Sequence, residues 1–160
     1  MTQKQKRIYR KAFRLLQYAT PLRTDCGVLC EQSCCKGDDA TGMLLFPGEP
    51  TPFRVLENGD RRLAVCGGRC CRRERPLACR IFPFFPFQNP DGSIRARIDP
   101  RGARICPLVR VQREVQFSHR FLHRVQRAGA QLRRDTACRA FLEELQAEIG
   151  FLEALGCGEK

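Results

Sequence analysis

Two groups of cysteines in this chain share one spacing. Cys30, Cys34 and Cys35 form C-x-x-x-C-C, and Cys66, Cys70 and Cys71 repeat it 36 positions later. Cys26 precedes the first group. Cys79 and Cys106 follow the second, in Arg-Pro-Leu-Ala-Cys-Arg (75–80) and Ile-Cys-Pro (105–107). Eleven cysteines in 160 residues, at turn-sized intervals, can coordinate metal, cross-link or exchange electrons.

Compartment separates coordination from cross-linking. Structural disulfides belong to oxidising surroundings, whereas a reducing cytosol favours metal or redox sites. The chain opens Met-Thr-Gln-Lys-Gln-Lys-Arg, without the apolar core of a secretory signal behind its basic residues. No stretch approaches the ~20 apolar residues needed to span a bilayer. The expectation is a soluble cytoplasmic protein with no membrane partner. Adjacent cysteines also bridge each other poorly, and an odd number leaves one thiol over. Metal is the favoured reading.

Thiolates are soft ligands that select zinc or iron–sulfur clusters over magnesium or calcium. Four of them close a tetrahedral zinc site or hold a four-iron cluster. The candidate ligands are Cys26, Cys30, Cys34, Cys35, Cys66, Cys70, Cys79 and Cys106, with Cys71 able to replace Cys70. Two metal sites, or one site and a redox pair, are the economical options. The repeated motif suggests that each copy supplies half of a shared centre. Paired C-x-x-C knuckles of a zinc ribbon are missing, and Ser33 breaks the C-x-x-x-C-x-x-C of radical enzymes. Ferredoxin spacing is absent too.

These motifs, above all Arg75-Pro76-Leu77-Ala78-Cys79-Arg80-Ile81-Phe82-Pro83-Phe84, resemble the YkgJ family, a zinc- or iron-chelating C-x-x-C-x-x-C-C domain. The resemblance covers residues 26–106, about half the chain. The first motif departs from the family label, with three residues between its cysteines where the label has two. The resemblance implies a metal-chelating centre built on these cysteines. Pro76 would stiffen the approach of Cys79, and Arg75 and Arg80 would offset the charge of a site with more sulfurs than metal charge. Phe82, Phe84, Phe85 and Phe87 would shield the cluster, or simply fill the core.

The elements that must carry these residues are short in the middle of the chain and longer at its ends. Apolar residues at helical intervals predict a helix over 3–19, ended by Pro21. Asp25 would cap a helical turn placing Cys26, Cys30 and Cys34 along one side. Residues 37–52 are rich in Gly and Pro around Met43 to Phe46. Asn58-Gly59 predicts a hairpin of 53–56 with 61–65, delivering Cys66. A second hairpin, 81–87 with 94–98, begins at Cys79 and is followed by Cys106. One helix is expected from Leu108 to about Arg127, ended by Gly129, and another from near Asp135 to Gly156.

The fold class is therefore α+β and mainly helical, with helices framing an irregular, metal-stabilised, cysteine-rich centre with short hairpins. Residues 1–160 read as one domain: a basic N-terminal helix (1–20), a cysteine-cluster region (21–107) and a C-terminal helical pair (108–157). Cys138 and Cys157 read as ordinary thiols outside the cluster.

Net charge is +12, and 24 of the 29 basic residues are arginine. Residues 1–24 hold seven basic and no acidic side chains. Nucleic acid or an acidic protein is thus a candidate partner, through an Arg7, Arg10, Arg14 face. A nucleic-acid-binding module with a structural metal is the competing class; the third is an iron–sulfur-dependent enzyme or accessory protein. No nucleophile–base pair, phosphate loop or nucleotide fingerprint supports catalysis, and enzyme status stays open. His119 and His123 lie four apart on a predicted helix, but the H-E-x-x-H pattern is not met.

Overall fold

The computed structural model describes residues 1–38, 42–68 and 70–156. Among them are five helices, α1 (Gln3–Leu16), α2 (Leu77–Ile81), α3 (Pro107–Arg110), α4 (His119–Leu132) and α5 (Thr136–Ala154). Five strands, β1 (Met43–Leu44), β2 (Arg54–Asn58), β3 (Arg61–Val65), β4 (Phe84–Gln88) and β5 (Ile94–Ile98), form two antiparallel sheets. The class is α+β. No helix of the described residues is long and apolar enough to cross a membrane.

The long helices start where the side chains supply caps. Thr2, Ser118 and Asp135 each accept a backbone N–H from the first turn of α1, α4 and α5. Ile8, Tyr9, Ala12 and Leu16 bury one face of α1 against α4, whose Phe121, Val125, Ala128 and Leu132 point inward. Leu142, Leu145 and Ile149 of α5 and the phenylalanines of β4 complete the same core. Phe84 meets Phe117 and Phe121 edge-on, with ring centroids 4.9 and 5.8 Å apart. The phenylalanines of β4 thus serve the core; Phe82 stands apart, beside Cys106 and Val109 in a second, smaller cluster.

Gly129 does not end α4. It lies buried inside the helix because Pro86 of β4 presses against its backbone; a Cβ there would come 2.3 Å from Cβ of Pro86. The expected helix from Leu108 is also two helices. Residues 111–118 leave helical geometry as Ser118 donates its N–H to the Pro21 carbonyl at 2.9 Å, and Val115 and Phe117 turn in beside Cys106.

The first hairpin forms as expected but with a shorter turn: Glu57 and Asn58 extend the first strand, Asn58 pairs with Arg61, and Gly59 lies at φ 63° in the turn. β1 adds to the free side of β3, giving the order β1-β3-β2. The second hairpin pairs Phe84 with Ile98 through Gln88 with Ile94. Residues 77–81, expected to lead into this hairpin, are helical instead, so Cys79 sits on α2. Helix α1 stops at Leu16, short of Ala19.

Candidate metal centre

Asp25 caps a turn at Cys26–Cys30 by accepting the N–H of Gly27 at 3.0 Å. That turn is a 3₁₀ helix and does not continue to Cys34. Glu31 and Gln32 take left-handed conformations (φ 49° and 60°), reversing the chain into a second 3₁₀ turn, Ser33–Cys35. The reversal replaces the expected line of sulfurs with a cup.

The second C-x-x-x-C-C is fastened to the first by backbone. Lys36 and Gly67 form an antiparallel bridge, and Gly37 donates its N–H to the Cys66 carbonyl at 2.8 Å. Arginines then hold the following loop. Arg72 donates Nε to the Gln17 carbonyl at 3.1 Å and Nη2 to that of Ala19, tying the loop to the end of α1. Arg80 is buried; its Nε and Nη2 donate to the carbonyls of Arg75 and Arg73, each at 2.7 Å, and it stacks 4.6 Å from the Phe13 ring centre. Its donors serve the loop backbone.

α2 has no cap of its own, since Pro76 precedes it. Glu49, distant in sequence, takes that role. Its carboxylate accepts the N–H of Leu77 at 2.7 Å and of Phe46 at 3.0 Å. Burial lifts its pKa to about 7 against these two donors. Cys106 arrives from the other side as the residue before α3, and is buried with Leu108 and Val109.

These connections bring the cysteines around two adjoining cavities. The first, about 40 Å³, is lined by Cys26, Cys30, Cys34, Cys35, Cys79 and Cys106. The second, about 390 Å³, is lined by Cys34, Cys35, Cys66, Cys70 and Cys79. Met43 and Phe82 stand with Cys34, Cys35 and Cys79 on the wall between them. All ten described cysteines are free thiols. Cys71 is exposed and lines neither cavity. Cys138 is buried in the core, its sulfur 3.1 Å from the Tyr9 hydroxyl. Cys157 lies outside the described residues.

The electrostatics divide the thiols the same way. Burial, then Asp25, Cys106 and Cys30, push Cys26 up to about 11. Burial raises Cys106, with Cys30 adding to it. Burial also raises Cys79 and Cys70; Cys35 and Cys66 oppose charge on both, while Arg75 favours it on Cys70. Between the sets lie Cys34 and Cys35, whose sulfurs are 4.0 Å apart. Sharing one proton between the two sulfurs raises the Cys34 thiol and lowers that of Cys35, with Arg75 assisting the lowering. Nearby like charges and low dielectric keep most of these groups protonated; a bound cation inverts that balance.

Among the described residues, no three His, Cys, Asp or Glu side chains are set to hold a metal ion as they stand. The donor set still fits one. Eight cysteines line the two cavities, and soft thiolates suit zinc or iron. Arg75 carries a buried Nε with no hydrogen-bond partner, on a guanidinium that faces Cys70 and Cys35. A buried donor without an acceptor is costly, and a metal thiolate is the acceptor this position suits.

Sequence reasoning missed Glu49, Arg72 and Met43. Glu49 carried a faint signal, as the one acid in a Pro- and Gly-rich stretch (47–52). Arg72 carried none, since its partners are backbone carbonyls far away in the chain. His119 and His123 are both exposed, and His123 lines an open groove between α1 and α4. Arg14 lines that groove as well; Arg7 and Arg10 are exposed on α1 outside it. Comparison with protein-family models, with curated proteins and with solved structures returned no match.

Proposed function

We propose that this chain is a metal–thiolate protein holding zinc or an iron–sulfur cluster through two sets of four cysteines. One set is Cys26, Cys30, Cys34 and Cys106; the other is Cys35, Cys66, Cys70 and Cys79. The observation that carries this reading is that eight cysteines from four separate stretches of chain line two adjoining cavities. Four thiolates are the number that closes a zinc site or holds a four-iron core. The smaller cavity, about 40 Å³, has roughly a tenth of the room of the larger, which favours a single zinc ion over a multi-iron core there. The larger has room for either. Free thiols at all ten described cysteines suit a reducing, cytoplasmic compartment. The resemblance of residues 26–106 to the YkgJ family points to the same chemistry.

In this reading the metal links segments that make few regular hydrogen bonds, and its binding energy adds to folding. Arg75 would face the second set and reduce its negative charge. The test is metal content by mass spectrometry, with absorption spectra, on protein prepared in zinc medium and, separately, anaerobically with iron. Stoichiometric metal is expected. Cys26→Ser with Cys106→Ser should remove one set's share, and Cys66→Ser with Cys79→Ser the other's. Folded, metal-free protein from both preparations, with all eight thiols open to titration, overturns the proposal.

A further inference from the structure

The groove between α1 and α4, about 810 Å³, lies outside the cysteine centre and is lined by cations. Lys11 and Arg14 come from α1; Arg120, Arg124, Arg127 and Arg134 come from α4 and the residues just after it. His123 joins them, and no carboxylate lines the groove. Neither helix contains a single Asp or Glu.

Several arginines elsewhere are paired. Arg61 bonds Glu144 and Glu148, Arg97 bonds Glu153, and Arg101 bonds Asp99. Among the described residues, none of the groove's six Lys and Arg side chains joins an ion pair with a carboxylate. Uncompensated like charge on two packed helices opposes folding, and six such cations around one groove make a surface complementary to a polyanion. Positions 120, 124, 127 and 131 recur on one side of α4, with Arg134 just past its end, and span roughly 16 Å at ~1.5 Å per residue. That length matches about five phosphate steps along one strand of a duplex.

We propose that this groove binds double-helical nucleic acid through its phosphodiester backbone, without reading sequence. Arginine forks suit phosphate oxygens. No Phe, Tyr or Trp lines the groove, so single strands would lack the large stacking platform they use. A bilayer is the poorer partner. The surface is concave, and the apolar faces of α1 and α4 are already buried in the core, leaving nothing to insert. The site is independent of the metal reading.

The test uses full-length protein and fluorescence anisotropy with random-sequence 20-base-pair DNA and RNA duplexes, across a salt series. Binding should weaken linearly in log–log form, with a slope near −5 for about six phosphate contacts. Arg120→Gln with Arg127→Gln, both exposed, should cut affinity about tenfold or more and reduce the slope by about two. Arg95→Gln with Arg104→Gln, an equal charge loss elsewhere, should do neither. An unchanged thermal midpoint in both variants keeps the comparison valid. Equal loss in the two pairs, preference for single strands, or capture by anionic vesicles or polyglutamate without duplex binding overturns the proposal.

Discussion

The carboxylate of Glu49 accepts the backbone N–H of Leu77 at 2.7 Å, across 28 positions of chain. It caps the helix that carries Cys79, in place of a local residue that proline cannot supply. The contact makes the cysteine centre depend on a side chain from a turn that bears no cysteine.

The same residue makes stability depend on pH. Glu49 is buried, and its pKa rises from 4.5 to about 7 in the folded chain. The native state therefore binds this proton more tightly than the unfolded state. Its contribution is full below about pH 4.5 and is lost as pH rises through 7. Glu49→Gln removes the titration and leaves one of the two N–H groups facing an amide nitrogen, at a fixed cost of about 1–3 kcal/mol. Urea unfolding of both proteins from pH 5 to 8 should show the wild-type advantage shrinking with pH. A constant difference would mean that Glu49 is ionised throughout.

Two helical glycines should respond oppositely to alanine. Gly150 of α5 is exposed, with nothing within 4 Å of an added Cβ, so Gly150→Ala should stabilise by about 0.5–1 kcal/mol. At Gly129 the added methyl meets Pro86 at 2.3 Å, and a proline in a paired strand cannot swing aside. Gly129→Ala should destabilise by about 1–3 kcal/mol despite its better helix propensity. Thermal unfolding distinguishes the two. A gain at both positions would mean that α4 and β4 separate easily.

Gly129 also shows where sequence reading stops. As punctuation it ended a helix; only the approach of Pro86, over forty positions earlier, gives its actual role. The hairpin at Asn58-Gly59 was legible because the turn chemistry is local, and α5 because its caps and apolar positions lie within it. The break between α3 and α4 was not, since it depends on Ser118 reaching Pro21. The cysteines named themselves by type and spacing. The reversal between Cys30 and Cys34 was not legible, since it rests on the left-handed pair Glu31 and Gln32, residues with no particular bias toward that conformation.

Removing the metal should loosen the centre and spare the core. The apolar cluster of α1, α4, α5 and β4 is continuous and holds no proposed ligand. The segments 22–38, 66–68 and 70–76 rest on turns, one bridge and arginine contacts. Hydrogen exchange after chelation should accelerate in those segments while α4 and α5 remain protected. Uniform loss of protection would mean that the two parts unfold as one unit.

Arg75 should tune the second set without binding metal itself. Its guanidinium faces Cys70 and Cys35, helps lower the Cys35 thiol, and keeps one buried donor unpartnered. Arg75→Gln removes the charge and should cost roughly 10–100-fold in metal affinity at that set, the usual scale for groups behind the ligands. In metal-free protein the sign is equally clear. Losing a nearby cation disfavours the thiolate, so alkylation of Cys35 should require higher pH in the variant. Arg75→Lys should keep most of the low pKa but not the affinity, because a point charge lacks the planar fork. An alkylation profile identical in all three proteins would place the guanidinium too far from sulfur to matter.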